Sequence, residues 1–598
     1  MAEKKIPIRY TNRDFNSIRG ELINYAKRYY PEQIKDFGEA SFSSFMIDSV
    51  SYIGDMLSFY LDYHVNESFL DTASEYNNLL KLGRQLGYKF KGRTSSTGLA
   101  TFFVLVPANS TGLGPDTSYI PTLQRGAHFS SSTGASFTLT EDVKFSRSDN
   151  QTVVARVDET SGVPTYYAIR SSGRVISGKI VRETFSVGSF EKFLRISLSN
   201  PNSSEIIRVT DTEGHEYFEV DYLSQDAIYK DIANFASDSD TVSSILRPFA
   251  VPRRFVFEKD KDSSYIQFGY GSDSELSSPS VAEPSTVVLN QHGKTYNTDE
   301  FFDPSKLLDT DKFGVAPSDT ILTVDYRVVD SFNINAPANS LKNILRATMT
   351  FDDTTTLSAS EKTKVSQSLE ISNSEPILGN VTIPNATELR RRIFDMFATQ
   401  DRAITATDVE AFTYAMPSKY GGIKRCKVVK DSDSFKRNIN LYILAEGTDG
   451  KLAKATVTLK ENLKMWLNSK KAIHDTYDII DGKIINLGIE FTAIADPDYN
   501  KTEVLSECVS LLSKAFAQPK YLGEPISITE IYKLLAGNVR GLLDIKSAKF
   551  VRKKDSRYSS TRFDLEASTS SDGRYIEAPI NAAFEIKYPS FDIKGTVE

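Results

Sequence analysis

The chain has 598 residues, of which 40% are hydrophobic and 25% charged, and a formal net charge of −7 at pH 7. That length allows about three to five domains with sizeable cores, and the mildly acidic balance speaks against a general nucleic-acid or membrane-surface binder, which would carry a basic face. Two cysteines, Cys426 and Cys508, are too few for a disulfide framework or a cysteine-rich zinc site; they read as small buried residues of a protein made in a reducing cytoplasm.

The first residues, MAEKKIPIRYTNRDF, lack the apolar core of a signal peptide. No run of about 18 apolar residues occurs, so no membrane span is expected. A helix is expected from Asp14 to Tyr30, stopped by Pro31.

The stretch from Ser41 to Tyr88 organises the reading. No proline interrupts its first half, and apolar residues recur there at three- and four-residue steps. On a helical wheel Phe42, Met46, Val50, Ile53, Leu57 and Leu61 share one face. Phe45, Tyr52, Met56, Phe59 and Tyr63 share a second, roughly 100° away. The remaining arc carries Asp48, Asp55 and Asp62, flanked by Ser44, Ser51, Gly54 and Ser58. One apolar stripe suffices for a surface helix. Two stripes and a row of small residues describe the centre of a helical bundle, with more apolar surface than a small domain can cover. The bundle is therefore expected to be completed by other chains. Successive aspartates lie about 10.5 Å apart along the axis, too far to share one ion or proton. Two readings of the row stay open, a solvated stripe or a meeting with arginines of a neighbouring helix. A second helix is expected from about Asp71, as its cap, to Leu86, with Gly87 ending it.

The loop KGRTSSTG, residues 91–98, marks the first boundary. From Leu99 to about Tyr326 short β-rich runs such as ATFFVLVPA, FLRISLS and SYIQFGYG alternate with turn residues, as in two sandwiches or small barrels meeting near 230–250. Asp352 to Ser374 is polar and reads as a long exposed connection. Asn385 to Ala415 turns helical, with Thr387 capping one helix and Thr407 with Glu410 forming a capping box for the next. The run Arg390-Arg391-Arg392 reads as a solvated face or a subunit contact. The remainder alternates strand and helix as two small α+β modules. The fold class is thus α+β multidomain: an N-terminal helical bundle segment (1–95), a β-rich insert (96–245), a second β-rich domain (246–345), a linker and helical pair (346–425), and C-terminal α+β modules (426–598).

Chemistry is hard to find. His64, His128, His215, His292 and His474 are all far apart, and no HExxH or Cys-x-x-Cys occurs. GTDGK (447–451) lacks phosphate-loop spacing and reads as a turn between a strand and a helix. FGYGSDSE (268–275) misses a glycine, so its glycines are expected to supply positive φ in a hairpin. No GxSxG elbow is present. No catalytic, cofactor or metal residues are expected.

One resemblance adds to this. Phe45, Ile47-Asp48, Tyr52-x-Gly54-Asp55-x-Leu57-x-x-Tyr60-x-Asp62, Asn66-Glu67-x-Phe69-Leu70-x-Thr72-Ala73 and Leu86-Gly87-Tyr88 resemble the N-terminal signature of the baseplate J-like family. Its T-even-type members are wedge subunits of contractile-tailed bacteriophage baseplates. Tyr265 to Gly271 (YIQFGYG) looks like the family's FGDG hairpin, with Tyr270 in place of the acidic residue. VDYRVVDSFNINAP (324–337) is similar to the strand and loop that follow. The helical pair around Arg402 to Thr405 resembles the family's Arg-Ala-(Val/Ile)-Thr centre. Residues 100–250 match no motif of the family.

The resemblance implies a non-enzymatic virion protein without cofactors, made in the host bacterial cytoplasm and located in the tail baseplate. It implies homodimers within each wedge, ring contacts around the tail hub, and N-terminal helices in a core bundle with other wedge subunits. The candidate subunit interface is Phe42, Phe45, Met46, Asp48, Tyr52, Asp55, Met56, Leu57, Phe59, Asp62 and Tyr63. The family also occurs in phage-derived contractile injection machines. A tail-associated enzyme degrading polysaccharide or peptidoglycan is the alternative reading and would need a paired-carboxylate cleft. A receptor-binding fibre would be expected to show repeats, and none are found.

Overall fold

In the computed structural model the described residues are 13–38, 41–110, 113–225, 227–233, 244–271, 313–329, 334–352, 357–431, 438–472 and 474–598. The fold is α+β and multidomain: helices first, then mostly β-sheet, then mixed modules. The chain divides into two compact units. One comprises residues up to Tyr88 together with Pro384–Phe397; the other comprises Lys89–Ile383 and Ala398–Glu598.

The first unit is helical. α1 (Phe15–Tyr29) starts at Asp14, whose carboxylate accepts from the Ser17 backbone, and α2 (Phe42–Glu67) starts at Ser41. α3 (Tyr76–Gln85) begins later than the expected Asp71, because the chain spends residues 68–75 on a turn. Its end is as the sequence requires. Gly87 takes φ +83°, and the Tyr88 and Gly87 amides donate to the carbonyls of Gly83 and Arg84. Those two bonds satisfy carbonyls the helix leaves open. The fourth member is the helix Ala386–Thr399, capped by Asn385 and not by Thr387, since the Asn385 side chain accepts from the Glu388 backbone at 2.8 Å.

In the second unit one seven-stranded sheet orders Leu341–Arg346, His128–Ser131, Ser136–Leu139, Pro164–Ser177, Thr97–Pro107 and Glu370–Ser372, with Gln151–Val157 added on Pro164–Ser177. A second holds Lys179–Val187, Thr320–Val328, Ser203–Thr210, Glu216–Glu219, Arg254–Lys259, Ser264–Phe268 and Arg195–Ser197. The chain passes from the first sheet to the second at Gly178 (φ +111°), where a Cβ would meet the Val328 carbonyl at 2.8 Å. It returns after Val328, so the second sheet is an insertion within the first, and the two β regions join at Gly178 and after Val328 and not near 230–250.

The expected exposed connection is also revised. Residues 353–356 lie outside the described set, but Ala359–Gln367 is helical and Glu370–Ser372 pairs with Thr97–Pro107. Val365, Leu369 and Ile371 from this polar stretch are buried in the first sheet's core.

The helix Ala406–Tyr414 is capped by Thr405 with Asp408 in a reciprocal box, each two residues before the expected Thr407 and Glu410. Glu410 instead takes Lys427 and the Val428 amide. Two sheets close the chain. Arg425–Lys430, Asn438–Glu446, Leu452–Ala453 and Thr476–Asp481 form one; Lys483–Ala495, Leu542–Arg552, Ala582–Glu585 and Ile593–Val597 form the other. The GTDGK segment turns between two strands, not between a strand and a helix. Helices Lys501–Ala515 and Ile528–Asn538 supply Val504, Cys508, Leu512, Ile531 and Leu535 to the last core.

Candidate assembly surface

α2 is 26 residues long, which at 1.5 Å per residue is about 39 Å. Its only buried side chains are Ser44, Ser51 and Glu67. An ordinary amphipathic helix would bury Leu and Phe and expose serine; this one does the reverse.

The small-residue arc is where α1 lies. Ile18 sits over Gly54, its methyl 3.2 Å from where a Cβ would stand. Arg19 pairs with Asp48 and donates to the Ser44 hydroxyl at 3.2 Å, and Arg13 pairs with Asp62 at 2.6 Å. Residues 13, 18 and 19 meet 62, 54 and 48 in turn, so α1 and α2 run antiparallel. Of the two readings of the aspartate row, the arginine row holds at Asp48 and Asp62, and the arginines come from the chain's own preceding helix. Asp55, between them, is half-buried.

With Asp48 and Asp62 paired to α1, most of the rest of α2 is apolar and open. Phe42 is 72% exposed, Leu57 58% and Phe59 65%. Phe45, Met46, Tyr52 and Met56 are exposed as well, and so are Val50, Ile53, Tyr60, Leu61 and Val65. Both predicted stripes therefore face outward. Tyr63 is the exception among the predicted apolar residues: it is half-buried, stacks on Phe59 and donates to the Glu75 carboxylate at 3.4 Å. At roughly 150–250 Å² for each large aromatic, the exposed fractions sum to on the order of 1,000 Å². The largest apolar patch of a typical monomer is about 300–600 Å², and larger ones mark interaction sites.

The far end of α2 is pinned. The Glu67 carboxylate accepts from the Ser74 hydroxyl (2.5 Å) and amide (2.7 Å) and from Asn78 Nδ2 (2.9 Å). These bonds, with Ser74 and Asn78 contributing most, hold its carboxyl down at about 2. Glu67 also accepts from the amide of Glu75, the N-cap residue of α3, at 3.3 Å. Opposite, Arg390 of the helix Ala386–Thr399 donates to the carbonyls of Leu70 (2.8 Å) and Ala73 (2.7 Å). Leu389 and Ile393 are fully buried. The basic run thus divides: Arg390 holds the turn, Arg392 reaches Glu388 and the Tyr88 hydroxyl, and Arg391 stays exposed beside Asp395, so the solvated reading holds for it alone.

Sequence reading missed Arg13, Arg19, Glu67 and Arg390 as parts of this surface. The aspartate row left arginines of a neighbouring helix as one of two open readings, and α1 offered two arginines. Nothing local pointed to Arg390.

Elsewhere the chemistry stays sparse. Among the described residues no three His, Cys, Asp or Glu side chains are grouped to hold a metal ion, and His292 lies outside them. Among the described residues no helix is long and apolar enough to cross a membrane. Cys426 and Cys508 are buried thiols. At FGYG the glycine is needed for close approach and not for positive φ: a Cβ on Gly269 would lie 2.1 Å from the Phe313 and Gly314 carbonyl oxygens. Residues 272–275 of that segment are outside the described set. A groove of about 970 Å³ is lined by Arg552, Lys554, Asp555, Arg562, Asp564 and Glu566. Its aspartates are engaged locally. Asp555 takes Arg557, which lowers its pKa, and Asp564 accepts from the Glu566 and Ala567 amides. A general acid requires the opposite shift.

Residues 14–85 match the model of the bacteriophage baseplate protein N-terminal domain. That span is α1 to α3 with the surface just described. No curated protein matches the chain. Among solved structures it is similar to the six-fold symmetrised baseplate of the anti-feeding prophage, at 8% identity over 97% of this chain and 90% of that one, with TM-score 0.22. It is also similar to the type VI secretion system TssK-TssF-TssG baseplate subcomplex, at 8% identity over 72% and 96%, with TM-score 0.25. Overlap at that level does not amount to a shared fold.

Proposed function

We propose that the chain is a structural subunit of a contractile-tail baseplate wedge that works through interfaces and not through a reaction. The observation that carries this is the inverted helix inside the matched domain: α2 turns its charges to α1 and both its apolar stripes outward. Such a helix is the core of a bundle whose other members belong to neighbouring baseplate subunits, and helices of that kind pack at about 8–10 Å between axes. The sheet-rich second unit makes the homotypic contacts, a dimer within each wedge and a ring around the tail hub, which rearrange as rigid bodies on contraction. No cofactor and no nucleic acid take part. The same role fits a phage-derived injection device.

The test is the double variant Leu57→Asp/Phe59→Asp in the full chain. Both residues are exposed, so the purified protein is expected to keep its circular dichroism and melting temperature. Incorporation into baseplates, scored by complementation and negative-stain imaging, is expected to be lost. Normal baseplates from the folded double variant would sink the proposal.

A further inference from the structure

We infer that the helix Ala386–Thr399 is the positioning element for α2, so the surface presented by residues 14–85 is incomplete without a segment from far downstream. α2 buries no large apolar side chain of its own. Its direction therefore depends on what α1 holds along its length and on what holds the turn that follows it. Arg13 and Arg19 hold the α1 side through ion pairs, of which Arg13–Asp62 is largely exposed. The remaining hold is on the turn between α2 and α3, and it comes from two sides.

From within, the Glu67 carboxylate gathers Ser74 and Asn78. From the downstream helix, the Arg390 guanidinium bridges the Leu70 and Ala73 carbonyls. A planar fork spanning two carbonyls fixes an angle, where a single ammonium fixes only a point. The apolar contact is equally specific. Ile393 is fully buried and packs where Gly83 of α3 has no side chain; a Cβ there would lie 2.8 Å from Ile393 Cδ1. Glycine is therefore the residue that lets the two helices meet, at the cost glycine carries inside a helix. Leu79 and Leu80 complete the buried face of α3, and Leu389 that of the downstream helix. Arg392 ties the same helix to Tyr88, just past the end of α3. Four separate contacts converge on the turn and α3 and none on the outward stripes of α2, as a positioning element requires.

The test uses the full chain and hydrogen exchange followed by mass spectrometry, with Arg390→Ala, Arg390→Lys and Ile393→Asp. In Arg390→Ala the amides of residues 68–80 are expected to exchange at least tenfold faster, while the sheets of the second unit keep wild-type protection. Arg390→Lys reaches one carbonyl at a time and is expected to restore part of that protection. Baseplate incorporation is expected to fall in the order Arg, Lys, Ala although every α2 residue is intact. A role confined to overall stability would lower the protection of the second unit too. Unchanged exchange at 68–80 in both Arg390→Ala and Ile393→Asp would overturn the inference, as would lost protection with full incorporation. The incorporation arm rests on the proposed function, but the exchange arm does not, so failure of one is distinguishable from failure of the other.

Discussion

Two helices of this chain bury opposite kinds of residue. The helix Lys501–Ala515 buries Val504, Cys508 and Leu512 and shows lysine and glutamate to solvent. α2 buries two serines and a glutamate and shows phenylalanine, leucine and tyrosine. Both are regular helices with side-chain N-caps, Asn500 for one and Ser41 for the other. What differs is where the apolar surface is satisfied. In the C-terminal module the sheet Lys483–Ala495 and its neighbours cover it. In α2 it is left for something else. Exposed apolar area in a folded chain thus reports on assembly more directly than any motif does.

The comparison can be broken most sharply by truncating a leucine on each helix. Leu512→Ala removes a fully buried side chain and is expected to cost about 2–5 kcal/mol in denaturant titration. Leu57→Ala removes an exposed one and is expected to stay within about 0.5 kcal/mol in the isolated chain. Equal losses would mean that α2 is a core helix after all.

Two glutamates sharpen the contrast through pH. Hydrogen bonds hold Glu67 at about 2, below its unfolded value near 4.5. Its contribution is therefore fully present above pH 4.5 and is lost as pH falls from there toward 2. Glu585 in the C-terminal module accepts from the Leu452 amide (2.8 Å) and Asn486 (3.0 Å), yet burial pushes its carboxyl up. Its contribution runs the other way, greatest at low pH and declining as pH rises from about 4.5 through the raised value. Exchange rates measured between pH 3 and 7 on Glu67→Gln and Glu585→Gln should lose these opposite slopes, each at its own site. Slopes of the same sign would show that one carboxylate environment is misassigned.

The smallest effect belongs to α1. Arg13–Asp62 is a largely exposed pair, 65% and 52% at the side chains, so Asp62→Asn should cost about 0–1 kcal/mol and matter less in high salt. Asp48, beside the less exposed Arg19, should respond more in the same thermal melts.

Much of the helical unit was legible in advance. Uninterrupted three- and four-residue spacing marked α2 and its two stripes, the aspartate row left solvent or arginines as its two readings, and Gly87 marked the end of α3. These are local properties: a helix repeats every 3.6 residues whatever surrounds it, and a left-handed cap needs glycine wherever it occurs. Caps were placed less well, since Thr387 and Thr407 were as suitable in sequence as Asn385 and Thr405. Which residue caps depends on where packing starts the helix.

Tertiary structure alone decided the pairings. Arg13 and Arg19 are 49 and 29 residues from their aspartates, and Arg390 is 320 from the Leu70 carbonyl it holds. The polar stretch after Asp352 joined a core because Val365 on its helix, Leu369 after it and Ile371 on its strand are all buried there, which its composition hides. The second sheet proved to be an insertion because strand partners are chosen by register across the whole sheet and not by order along the chain. Sequence fixes periodicity and local caps through bonded geometry. Contacts between distant segments are settled only when burial, hydrogen bonding and charge are satisfied together.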